Sequence, residues 1–168
     1  MGVYQTEGPD AGVFLDSVCG NDITNLEVGE SCYTHFLNHN ANVIDDLLVY
    51  RRGKEKFLAV VNAANDDKDW AWLNGVRQGI YRVDNDASWS VAFGRNVTLR
   101  NLRAEQAGTD QRVDLALQGP KSRDILLKLD CTPEEKQAIL GLKWAQLCEA
   151  NLNGMDLVIS RTGYTGER

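Results

Sequence analysis

At 168 residues, with 43% hydrophobic and 25% charged positions, the chain is long enough to bury one sizeable core, and one domain is the default expectation. A net charge of −6 with dispersed Lys and Arg argues against a nucleic-acid partner, which needs a basic stripe to neutralise phosphates. No apolar run approaches the ~20 residues of a membrane span, MGVYQTEGPD lacks the regions of a signal peptide, and Cys19, Cys32, Cys131 and Cys148 form no CxxC pair, which fits reduced thiols in a cytoplasm.

PDAGVFLDSVCG predicts a helix, with Pro9 at its start, Ala11, Phe14, Leu15 and Val18 along one stripe, and Gly20 at its end. Three strands follow: CYTHFL, VIDDLLVY and FLAVVNA, the last two joined by a hairpin connection through RRGKEK. NDDKDWAWLNGVRQG predicts a second helix, capped by Asn65 or Asp66, acidic in its first turn, with Trp70, Leu73 and Val76 near one face and Gly79 closing it. VTLRNL and VDLALQ read as strands, and the stretch around 80 to 98 as an excursion from the core. QGPKSRDILLKL is expected to be helical from Pro120, with Ile125, Leu126 and Leu129 facing inward. TPEEKQAIL carries a capping box from Thr132 to Glu135 with Pro133 at the first position. AQLCEANLNGMDLVISRTG predicts a hairpin turning at Asn153-Gly154, because both residues tolerate positive φ. Strands and helices in this order give an α+β class, with mixed or antiparallel sheets and packed helices.

Strand periodicity sorts the candidate functional residues. Alternation along VIDDLLVY groups Ile44, Asp46, Leu48 and Tyr50 on one face and Asp45, Leu47 and Val49 on the other. The same rule groups Leu58, Val60 and Asn62, and Tyr33, His35 and Leu37. If these strands are neighbours, three mostly apolar faces each offer one polar group, the composition of a small-molecule pocket. The alternative is that Asp46 ends a strand and bonds a backbone amide or an arginine. Cys32, His35 and His39 have zinc-like spacing, but no second ligand pair stands nearby, so no metal site is expected. GYTG lacks the residues of a P-loop; its glycines permit a tight bend that leaves Tyr164 to project. No nucleophile–base constellation is readable.

The ordered set NDITNLEVGESCYTHFLNHNANVIDDLLVYR, VVNAANDDKDWAWL, LALQGPKS and VISRTGYTGE resembles the glycine cleavage T-protein family of tetrahydrofolate-dependent aminomethyltransferases, over nearly the whole chain. The resemblance implies a folate-binding domain of the T-protein type, occupying residues 1–168 and incomplete at both ends, in a larger enzyme. It implies an enzyme that takes the aminomethyl group from the lipoylated H-protein and releases ammonia. The one-carbon unit passes to tetrahydrofolate as 5,10-methylenetetrahydrofolate. Carried onto this sequence, the family's aspartate near the reacting folate nitrogens is Asp46, the second acid of IDD. Its folate contacts fall at Tyr33, Leu48, Val60, Asn62 and Tyr164. The sister readings are the folate-binding region of a dimethylglycine- or sarcosine-oxidising enzyme and a non-enzymatic folate module. Where the family carries Gly-Gly before IDD, this chain has Ala41-Asn42, and Asn42 is expected to preserve the turn. The run GEDGxE, whose last acid grips the pterin, is not reached by Arg168, so the isolated chain is expected to be an inactive fragment binding folate weakly or not at all.

Overall fold

The computed structural model describes residues 1–84, 96–163 and 165, in two compact units, Met1–Asp114 and Leu115–Arg168. The first is built on a five-stranded antiparallel sheet, order β2-β3-β4-β1-β5: β1 Gly2–Glu7, β2 Ser31–Leu37, β3 Val43–Gly53, β4 Lys56–Val61 and β5 Thr98–Asn101. The three strands expected in succession form a meander, with the β3–β4 turn at Gly53–Lys56. The N-terminal stretch, in which no strand was expected, forms β1 and bonds β4 on one side and β5 on the other.

Helices α1 (Ala11–Val18) and α2 (Asp66–Arg77) cover one face of this sheet. The α1 stripe is the one its spacing predicts: Ala11, Phe14, Leu15 and Val18 are all buried. They meet Tyr4, Phe36, Leu47, Val49, Phe57, Ala59 and Val61 from the sheet and Trp72, Leu73 and Val76 from α2. Each large side chain removed from water there contributes ~1.5–3 kcal/mol, so this face holds the unit together. Trp70 lies at the margin of the core, 5.1 Å from the Tyr4 ring. The opposite face is partly open, and that openness positions the candidate site.

In the second unit, α3 (Ser122–Leu126), α4 (Pro133–Gly141) and the hairpin β6 (Leu147–Leu152)–β7 (Met155–Ser160) enclose Ile139, Ala150 and Leu152. The capping box forms as expected: the Glu135 amide donates to the Thr132 hydroxyl at 3.2 Å and Glu135 accepts from the Thr132 amide at 2.9 Å. Asn153 (φ 51°) and Gly154 (φ 80°) make the hairpin turn, as the dipeptide predicts.

Three local expectations are corrected. VDLALQ is not a strand: the segment joins no sheet among the described residues, and Val113, Leu115 and Leu117 are exposed. Alternation alone does not make a strand without a partner edge. The helix expected over QGPKSRDILLKL shortens to Ser122–Leu126, beginning after Gly119 (φ 120°), and Ile125 faces solvent rather than the interior. Before β3 it is Ala41, at φ 59°, that takes the left-handed conformation, not Asn42. The Asn38 side chain supports this turn by accepting from the amides of Asn40 and Asn42. Most of the 80–98 excursion, residues 85–95, lies outside the described residues.

Candidate functional site

Register brings the predicted residues together on the sheet face opposite the helices. Tyr33 on β2 stands across from Leu48 on β3, and Leu48 across from Val60 on β4, so the three form one cross-strand row. One step along, Asp46 stands across from His35, and Asn62 follows Val61, the partner of Leu47. Leu48 and Val60 supply a half-buried apolar floor, with Asp46 and Asn62 at its end and the Tyr33 ring 57% exposed at its edge. His35 packs edge-on against Tyr33, ring centroids 5.4 Å apart. Tyr164 lies outside the described residues.

Among the described residues, Asp46 is neither free nor paired with an arginine. Its Oδ2 accepts from the Tyr33 hydroxyl at 2.9 Å and its Oδ1 from the Asn62 side-chain amide at 3.0 Å. The bond to Asp46 raises the Tyr33 phenol above its ordinary range, with burial and the charges of Asp46 and Asp45 adding to it. The carboxylate is half-buried, held from two sides, and retains acceptor capacity toward the open face. An anchored carboxyl group at the end of an apolar strip is suited to an amine-bearing planar ligand.

Behind this carboxylate lies a network that the sequence reading missed. The Asn62 amide nitrogen Nδ2 also donates to Asp45 Oδ1 at 3.1 Å and to the Asp46 carbonyl at 3.0 Å, while the Asn62 backbone N–H donates to Asp45 Oδ2 at 3.1 Å. Asn65 donates to Asp45 as well. Asn65 occupies the N-cap position of α2 as expected, but its side chain is committed to Asp45 and does not cap the helix. Asp45 points to the helix side with Leu47 and Val49, and Asp69 of α2, wholly buried beside Trp72 and Leu73, meets it there. Burial raises Asp45, but the bonds from Asn62, Asp69 and Asn65 outweigh it and hold the carboxyl below its ordinary value. Asp69 goes the other way, pushed up to about 8 by burial and then by the hydrogen bond and charge of Asp45. Both signals exist in the sequence: alternation places Asp45 with Leu47 and Val49, and Asp69 interrupts the apolar stripe of α2.

Among the described residues no cluster of three His, Cys, Asp or Glu could hold a metal ion, and no helix is long and apolar enough to cross a membrane. The four cysteines are unbridged.

Comparison with known proteins gives this face a context. The GCVT N-terminal domain family matches residues 1–168. The chain is 37% identical over 167 residues to an aminomethyltransferase of Caldanaerobacter subterraneus subsp. tengcongensis, covering 99% of this chain and 38% of that protein. It is 36% identical to an aminomethyltransferase of Bacillus cereus, with the same coverage. The crystal structure of glycine cleavage system aminomethyltransferase T from Bartonella henselae superposes with a TM-score of 0.66 at 26% identity, over 99% of this chain and 37% of that one. The chain thus spans well under half the length of these relatives, all of which are aminomethyltransferases. On the match along its whole length, the chain belongs to the GCVT N-terminal domain family, the N-terminal part of the glycine cleavage aminomethyltransferases.

Proposed function

We propose that this chain is the folate-binding core of a tetrahydrofolate-dependent aminomethyltransferase, and that the open sheet face around Asp46 receives the reduced pterin. The observation that carries the reading is the Tyr33–Asp46–Asn62 cluster at the end of the Leu48–Val60 strip, in a chain of this family. The residues present fit a reduced folate: an apolar floor for the flat ring, an aromatic edge, and an anchored carboxylate beside the position of a reacting amine.

In this reading Asp46 orients the folate amine and stabilises positive charge as the one-carbon unit is transferred. Tyr33 and Asn62 fix the carboxylate so that little reorganisation is needed when charge develops. By the family resemblance Tyr164 is a further folate contact. The aminomethyl carbon leaves a sulfur of the H-protein's lipoyl arm and bridges two nitrogens of tetrahydrofolate as 5,10-methylenetetrahydrofolate. Its nitrogen departs as ammonia, and the arm is left as a dithiol. A reducing cytoplasm suits the unbridged thiols.

Calorimetry with tetrahydrofolate compares this chain, expected to bind weakly or not at all, with a completed protein. Turnover is read in a chimaera in which the chain replaces the matching stretch of the Bacillus cereus aminomethyltransferase, supplied with aminomethylated H-protein. Asp46→Asn is expected to leave the fold and melting temperature unchanged and to cut ammonia release on the order of 10²- to 10⁴-fold. Unchanged turnover in that variant sinks the assignment of Asp46.

A further inference from the structure

We propose that Asp45 and Asp69, sharing one proton between β3 and α2, are positioning residues that hold the Asn62 amide against Asp46. The inference rests on the Asp46 face being the folate site, but its structural part stands without folate. Three observations lead to it.

The first is an acid with no conventional partner. Asp69 is wholly buried, and among the described residues no N–H or O–H reaches either of its oxygens. Its carboxyl lies against that of Asp45. Two ionised carboxylates in contact repel, and neither can donate, so the contact is a bond only if one proton lies between them.

The second is the asymmetry of the pair. Asp45 accepts from the Asn62 backbone, the Asn62 side chain and Asn65, which together favour its ionised form. Asp69 has none of these donors, so the proton belongs on Asp69. The charged groups acting on Asp69 are Asp45 on β3 and Asp66 and Lys68 on α2, with the Tyr4 phenol of β1 bonded to Asp66 nearby. Lys68 alone favours ionisation, and its ammonium donates to the Ile44 carbonyl at 2.6 Å.

The third is the count of hydrogens on Asn62. Its amide nitrogen has two, and the acceptors within reach are Asp45 Oδ1, the Asp46 carbonyl and Asp46 Oδ1. With one hydrogen held by ionised Asp45, the other is turned toward Asp46. The acid pair thereby sets the rotation of an amide that touches the candidate catalytic carboxylate. When the shared proton is lost, the two carboxylates separate and Asp45 no longer holds Asn62 in place.

The test is a titration of the isotopically labelled chain by NMR, following the Asp69 carboxyl carbon and the Asn62 side-chain amide between about pH 5 and about pH 9. In the wild type the Asn62 amide is expected to titrate with the midpoint of Asp69. Asp69→Asn, which keeps a donor toward Asp45, is expected to abolish that titration while retaining the low-pH Asn62 shift. Asp45→Asn is expected to shift the Asn62 amide at every pH. If Asp45→Asn does not fold, the Asp69→Asn arm decides alone. An Asn62 amide that ignores the Asp69 midpoint, or that titrates unchanged in Asp69→Asn, overturns the proposal.

Tetrahydrofolate calorimetry on the Bacillus cereus chimaera, carrying this chain with and without Asp69→Asn, adds the functional arm. The wild type is expected to lose about tenfold in affinity across the Asp69 midpoint, the worth of one hydrogen bond, and Asp69→Asn to lose none. Coupled NMR titrations with no folate binding in either protein would refute the folate reading and leave the positioning intact. Binding whose pH dependence survives in Asp69→Asn refutes the positioning and leaves the folate reading intact.

Discussion

Replacing Asp69 by Asn isolates the energetic consequence of a buried proton. The folded-state pKa of Asp69 is raised from 3.8 to about 8, so between those values the native chain holds a proton that the unfolded chain has released. Stability from this group is therefore fully present below about pH 4 and is lost as pH rises through about 8. The slope is ~1.4 kcal/mol per pH unit for one proton, or roughly 4 kcal/mol between about pH 4 and about pH 7. Asp69 has no solvent-accessible surface. Asp45 has the opposite sign, but its lowered pKa confines its contribution to the acid side of that window. Asp69→Asn resembles the protonated acid in shape and donor capacity and has no such slope. Urea unfolding followed by tryptophan fluorescence measures the difference, with Trp144→Phe in both proteins so that the signal comes from the first unit. The stability of Asp69→Asn relative to wild type is expected to rise by ~1.4 kcal/mol per unit between about pH 5 and about pH 7.5. A difference independent of pH refutes the shared-proton reasoning.

Other positions give independent checks. Tyr33→Phe removes the donor to Asp46 from an exposed side chain, so the tetrahydrofolate affinity of the chimaera is expected to fall ~3- to 10-fold by calorimetry with the melting temperature unchanged. Gly2→Ala puts a Cβ 2.5 Å from Asp66 Oδ1 and 2.6 Å from Val61 Cγ2; relieving that overlap is expected to cost ~1–3 kcal/mol and lower the thermal midpoint. Thr132→Ala breaks the capping box of α4 and is expected to cost ~1 kcal/mol in the second unit, read by amide hydrogen exchange in that helix.

The sequence was legible where one face is dry and the other wet. Both long helices, the β2–β3–β4 meander, the capping box and the Asn153-Gly154 hairpin follow from periodicity and turn chemistry. β1 was not legible, because Gly2 to Thr6 are buried without interruption and include Gln5 and Thr6, leaving no alternation to read. VDLALQ failed for the converse reason: its alternation is good, but pairing needs a neighbouring edge that local sequence cannot supply. At the candidate site, alternation correctly put Asp46 on a face with Leu48 and matched it to Asn62. It did not reveal that the neighbouring acid has the larger set of bonds. Asp45 and Asp69 are 24 residues apart, and only the packing of α2 against β3 shows that two like charges must share a proton.

The place of β1 inside its sheet has a consequence for biosynthesis. This strand leaves the ribosome before the four strands β2 to β5 of its sheet, yet Gly2 finds its partner Val61 about sixty residues later, and Tyr4 finds Asn101 later still. Closing the first of those loops costs roughly 3–4 kcal/mol of chain entropy, whereas β2, β3 and β4 join through short turns as they emerge. Until β4 is made, the hydrogen-bonding groups along β1 lack the partners they have in the folded sheet.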